Sequence, residues 1–199
     1  MSQKHANDRA HDPANDPACD IAHGLAPATT EGRRLIAVFA SPVARELAHF
    51  AAHVGFQVVI VEPQPSGESE SSSDLPSDLV SAGTRAATMA AAMPDEHTDV
   101  VFTDHDRPEL GDLLADALRA ETRWVGVMGS PRHTAPHIKA LQERGFSDAD
   151  IARVHRPIGL DIGSHSPSEI AIATVAGLLA DRNGRSGGQY TASAPAPTG

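Results

Sequence analysis

The chain has 199 residues, 40% of them hydrophobic but only 4% aromatic, which is enough for one ordinary domain with a core of Ala, Val, Ile and Leu. A formal net charge of -10, with one Trp and one Tyr, lacks both the basic footprint and the stacking platforms of nucleic-acid binders. The single cysteine, Cys19, excludes an internal disulfide framework and a cysteine-built zinc cluster.

The opening "MSQKHANDRAHDPANDPACD" is polar throughout and has no apolar h-region, so it does not read as a secretory signal. The longest apolar run, "IAIATVAGLLA" (170–180), is too short to span a bilayer. The expectation is a soluble cytoplasmic protein with no nucleic-acid or membrane partner. Residues 1–32 and 185–199 lack apolar periodicity and are expected to be disordered tails. Residues 33–184 are expected to form a single domain with a flexible internal loop at 63–80, where "EPQPSGESESSSDLPSD" lies between two strand-like runs.

Within the domain, apolar runs alternate with helical patterns. "RLIAVFA" (34–40) predicts a first strand, "PVARELAHFAAHVG" (42–55) a helix stopped by Gly55, and "FQVVIVE" (56–62) a second strand. "DVVFTD" (99–104) predicts a third strand, "RPELGDLLADALRAE" (107–121) a helix from near Pro108, and "RWVGVMG" (123–129) a fourth strand. "APHIKALQERG" ends a further helix at Gly145, "SDADIARV" supplies one or two helical turns, and a last helix runs from Pro167 to about Asp181. Short strands separated by such helices predict an α/β fold with a doubly wound, mostly parallel, Rossmann-like sheet. Ligands bind such sheets at the carboxyl ends of the strands, so residues 40–43, Glu62, 103–106 and 129–133 are the ones to examine.

A dinucleotide turn wants G-x-G-x-x-G after the first strand and an acid about twenty residues on. Here Ala40, Ser41 and Pro42 replace the glycines, while Glu62 supplies an acid. Ser41 as N-cap and Pro42 as first helical residue would simply start a helix; an anion or nucleotide site at Ser41 and Glu62 is the alternative. For Glu62 the simpler expectation is a strand-end acid facing solvent.

In "VGVMGSPRHTAPH", Gly129, Ser130 and Arg132 could direct N–H groups and a cation at an anion. Ser130 could cap a helix from Pro131, but Pro136 inside it would remove a hydrogen bond; the alternative is a helix starting at Thr134 or Ala135, leaving "GSPRH" as a loop. His133 and His137 lack a third metal ligand in reach and read as solvated histidines. In "TDHD" (103–106), His105 and Asp106 could serve as a base or ligand set, whereas turn chemistry favours Asp106 as a helix cap. In "RPIGLDIGSHSPSEIAIA" (156–173), Ser166, Pro167 and Glu169 form a capping box. That box leaves Gly159, Asp161 and Gly163 unexplained, and the loop they form is a candidate ligand loop.

Taken together, "VVFTDHDRPELGDLLADAL", "WVGVMGSPRH" and "LQERGFSDADIARVHRPIGLDIGSHSPSEIAIATVAGLLADR" resemble the C-terminal Rossmann-like domain of the XdhC/CoxI family over roughly residues 33–183. The resemblance implies a non-catalytic maturation factor, or chaperone, for xanthine dehydrogenase- or carbon monoxide dehydrogenase-type molybdenum hydroxylases. It implies binding of the molybdenum cofactor, delivery to the hydroxylase apoenzyme and a cysteine desulfurase as partner. The residues it matches are His105 and Asp106, Gly129, Ser130 and Arg132, and Gly159, Asp161 and Gly163. Two departures stand out: "FASPV" replaces the family's "G-A-G-H-V" turn, and residues 1–32 are too few for its cysteine-bearing N-terminal domain. An NAD(P)-dependent oxidoreductase and a ligand-free scaffold for the target enzyme remain as alternatives. A homodimer is a further arrangement compatible with the sequence.

Overall fold

The computed structural model describes residues 21, 23, 32–63, 83–129 and 136–188, without the side chains of 83–85 and 136. Most of both expected tails, most of the internal loop, Cys19, Ser130, Arg132 and His133 lie outside the described residues. The chain divides into two compact units, and the second, Gly32–Gly199, holds every element below.

Among the described residues six strands form one sheet: β1 (Arg34–Val38), β2 (Gln57–Val61), β3 (Gly83–Ala86), β4 (Thr98–Phe102), β5 (Trp124–Val127) and β6 (Val154–His155). Their order is β3-β2-β1-β4-β5-β6 and every pairing is parallel, so the expected mostly parallel sheet is wholly so. The order reverses between β1 and β4, which is where doubly wound folds open their ligand crevice. Four strands correspond to the apolar runs. β3 and β6 were not foreseen, because four residues of "GTRA" and the pair Val154–His155 carry no apolar run of their own.

Among the described residues five helices flank the sheet: α1 (Pro42–His53), α2 (Leu110–Arg119), α3 (Pro136–Gln142), α4 (Asp148–Ile151) and α5 (Pro167–Arg182). Strand side chains alternate between two cores. Ile36, Val38, Val100 and Phe102 pack with Leu113, Leu114 and Leu141 on one face. Leu35, Ala37 and Val101 pack with Leu47, Ala51, Val175 and Leu178 on the other. Each of the larger side chains, alanines apart, contributes about 1.5–3 kcal/mol on burial.

Local rules set the helix starts. Ser41 accepts the Ala44 N–H at 3.1 Å with Pro42 behind it, and Ser147 and Ser166 each form a complete capping box. At the amino end of the sheet the fully buried Asp99 pairs with Arg123 Nε at 2.5 Å and Arg182 Nε at 2.8 Å, tying the end of α5 to β4. Among the described residues no helix is long and apolar enough to cross a membrane.

Candidate functional site

Because all six strands are parallel, the residues following β1, β2, β4 and β5 share one end of the sheet. The first turn keeps its shape without glycine. Phe39 continues the ladder, donating its N–H to Val61 O at 2.8 Å, and adopts φ 72°, a left-handed conformation that a side chain resists. Tertiary contacts hold it there. The ring is buried, lies edge-on to Phe102 at 6.2 Å, and carries the Arg107 guanidinium 4.8 Å from its centroid.

Glu62 does not face solvent, contrary to expectation. Its side chain is 15% exposed; Oε2 accepts the Ala40 N–H at 2.5 Å, and Oε1 accepts Arg107 Nη2 at 3.0 Å. Hydrogen bonding to Glu109 and then to Glu62 holds the Arg107 pKa above its ordinary value. A carboxylate from β2 therefore already satisfies an N–H at the turn where a dinucleotide phosphate would approach. Ser41, besides capping α1, donates its hydroxyl to Thr103 Oγ1 at 2.9 Å, and Thr103 lies 3.0 and 2.9 Å from Val38 O and Phe39 O. Ser41, Glu62 and Thr103 are thus drawn together, bonded to the protein itself.

At the end of β4, His105 Nε2 stands 3.6 Å from Asp106 Oδ1, but the Asp106 side chain is 85% exposed. Asp106 is not the cap of α2. Glu109 holds that position without a side-chain bond, and Asp106 instead donates its N–H to Asp104 Oδ1 at 2.9 Å in a local turn. No group of three or more metal-ligating side chains is assembled among the described residues.

The end of β5 meets the segment after β6. The Arg156 guanidinium lies directly on Gly129: a Cβ there would stand 2.5 Å from Nη2 and 2.7 Å from Nε. The expected helix starts at Pro131, Thr134 or Ala135 lie outside the described residues, and α3 is described from Pro136. His137 follows it and is buried, not solvated, with Nδ1 lacking a hydrogen-bond partner. Burial, and then the neighbouring Arg156 charge, push its pKa below the ordinary histidine value.

The "GLDIG" loop resolves into different roles. Gly159 has φ 87° and sits against α5, where a Cβ would approach the backbone of Ala173 and Thr174 to 3.2 Å; Leu160 N–H also bonds Ala173 O at 3.0 Å. Gly163 has φ 68° in open surroundings, so only the turn requires it. Asp161 is exposed between them. Arg107 and Arg156 were missed in the sequence because each gains its place from a strand-end neighbour distant in the chain. The one available signal was their proximity to "TDHD" and "PIGLDIG".

A family model described as the XdhC Rossmann domain matches residues 35–178. The Escherichia coli (strain K12) uncharacterized protein YqeB is 29% identical over 169 residues, covering 83% of this chain and 29% of YqeB. A Bacillus halodurans crystal structure, described as a xanthine dehydrogenase, has 24% identity and a TM-score of 0.60 over 76% of this chain and 45% of that one. That likeness bears on the fold, and the chain spans less than half the length of either protein. The chain belongs to the XdhC family and carries its Rossmann domain.

Proposed function

We propose that this domain binds the molybdenum cofactor at the carboxyl ends of its strands and assists delivery to a xanthine dehydrogenase- or carbon monoxide dehydrogenase-type hydroxylase apoenzyme, with a cysteine desulfurase as further partner. The family's association with xanthine dehydrogenase maturation supports the reading. The observation that carries it is the packing of Arg156 on Gly129, which joins the "VMGS" and "RPIGLDIG" motifs at one end of the sheet. A guanidinium beside a glycine turn suits an anionic group such as the cofactor's phosphate. The first turn suits it less, since Glu62 already takes the Ala40 N–H. Arg156 and Arg132 would hold the phosphate, and the Asp161 carboxylate would accept hydrogen bonds from the pterin. The cofactor supplies the metal chemistry; the chain supplies binding and orientation.

Anaerobic titration of the full chain with molybdenum cofactor tests this, with NAD⁺ and NADP⁺ in parallel. Saturable cofactor binding, weakened about tenfold or more by Arg156→Gln and by Asp161→Asn, is the expected result. Nicotinamide binding alone would move the chain to the oxidoreductases. Absence of any binding would leave it a scaffold for the target enzyme.

A further inference from the structure

A cavity of about 240 Å³ opens between β5–β6 and α5, bounded by the start of β5, the segment that follows β6 and the end of α5. Trp124, the first residue of β5, forms one wall, and its ring folds back over Gly126, where a Cβ would strike it. The ring also stacks on His155 of β6 at 5.0 Å and 10°. Opposite, Gly177 of α5 meets Gly159 so closely that a Cβ on Gly177 would stand 3.2 Å from the Gly159 Cα, leaving bare backbone as the wall. Past α5 the chain turns back, with Arg185 N–H bonded to Ala180 O at 2.8 Å, and this brings the Arg185 side chain to the rim.

The polar groups differ in what they have free. Asp181 is held by Arg123 at 2.5 Å, and the Thr174 hydroxyl donates to Ile170 O at 2.8 Å. Ser186 Oγ accepts the Gly188 N–H at 3.4 Å. The Arg185 guanidinium has no hydrogen bond or ion pair among the described residues. A space of mixed polar and apolar lining, with an indole wall and the Arg185 guanidinium available at its edge, is selective. It suits a flat ring carrying one negative charge. At ~30 Å³ per water the volume equals about eight waters, so the ligand has one or two rings and is smaller than a typical drug-sized guest. A dianion is disfavoured by Asp181 beside the cavity and by the net charge of -10.

We propose that this cavity is a second binding site, for a small planar aromatic carboxylate whose rings lie beside Trp124 and whose carboxylate pairs with Arg185. The site shares Gly159 with the "GLDIG" loop but centres on Trp124 and the end of α5, and its occupancy needs no cofactor.

Trp124 is the only tryptophan in the chain, so a single indole N–H resonance reports on the cavity wall. The full chain is titrated with 2-naphthoate, and with 2-naphthamide as a neutral analogue of nearly equal shape. The expected result is a saturable shift of the Trp124 indole resonance by 2-naphthoate, with a Kd of about 1 mM or tighter. Both the amide and the surface substitution Arg185→Gln should weaken binding about tenfold. No saturable shift, equal binding of acid and amide, or an unchanged Kd in Arg185→Gln would each overturn the proposal.

Discussion

The carboxylate of Glu62, at the end of β2, accepts the backbone N–H of Ala40, at the end of β1, at 2.5 Å. In doing so it satisfies a donor of the first strand-to-helix turn from within the protein. Arg107 completes the arrangement at 3.0 Å. Glu62→Ala should destabilise the fold by about 1–3 kcal/mol, because a partly buried N–H loses its partner and the Arg107 guanidinium is left with Glu109 alone. Glu62→Gln keeps a carbonyl for Ala40 and should cost less. Urea unfolding of the two variants checks the order.

Phe39 predicts an inverted ranking of small residues. Its ring is buried and its φ is 72°. Phe39→Ala should cost about 3–5 kcal/mol through the cavity it leaves. Phe39→Gly leaves a similar cavity but adopts φ 72° freely, recovering about 1 kcal/mol. Glycine should therefore be the milder substitution, as read from midpoints of chemical unfolding.

Gly129 and Arg156 should be energetically coupled. A Cβ on Gly129 meets the guanidinium at 2.5 Å, so Gly129→Ala should cost about 1–3 kcal/mol. In an Arg156→Ala background that obstacle is gone and the same change should cost clearly less. A double-mutant cycle showing simple additivity would refute the contact.

His137 should make stability depend on pH. Its folded pKa lies below the ordinary value, chiefly because burial disfavours the charged form. Its contribution is therefore fully present above the unfolded pKa of about 6.5 and is lost as pH falls from there through the folded value. His137→Leu should flatten the decline in unfolding free energy over that window, followed by urea titrations from pH 7.5 to 5.

The capping box of α5 offers a local test. Ser166 Oγ accepts the Glu169 N–H at 3.2 Å, and Glu169 Oε2 accepts the N–H groups of His165 at 2.6 Å and Ser166 at 3.0 Å. Ser166→Ala should cost about 1 kcal/mol by thermal or urea unfolding. The backbone bond from His165, foremost, holds the Glu169 pKa below the ordinary glutamate value, so this support persists above that ordinary value and fades as pH drops through the folded one.

What the sequence determined by itself was whatever acts over three or four residues, or along one apolar run. Ser41 with Pro42 and Ser166 with Glu169 are read correctly because a cap and its N–H groups are neighbours in the chain. β1, β2, β4 and β5 announce themselves by their apolar content, and the motif blocks carried the family. The tertiary structure alone decided the rest. β3 and β6 are strands only because Val58–Val61 and Val125–Gly126 offer them a parallel edge. Glu62 turns inward because Ala40 and Arg107, 22 and 45 residues away in sequence, present donors to it. Arg156 reaches Gly129, and His137 is buried, because parallel strands bring their ends together whatever the intervening length of chain. Such contacts depend on where the backbone returns, and no local pattern encodes that return.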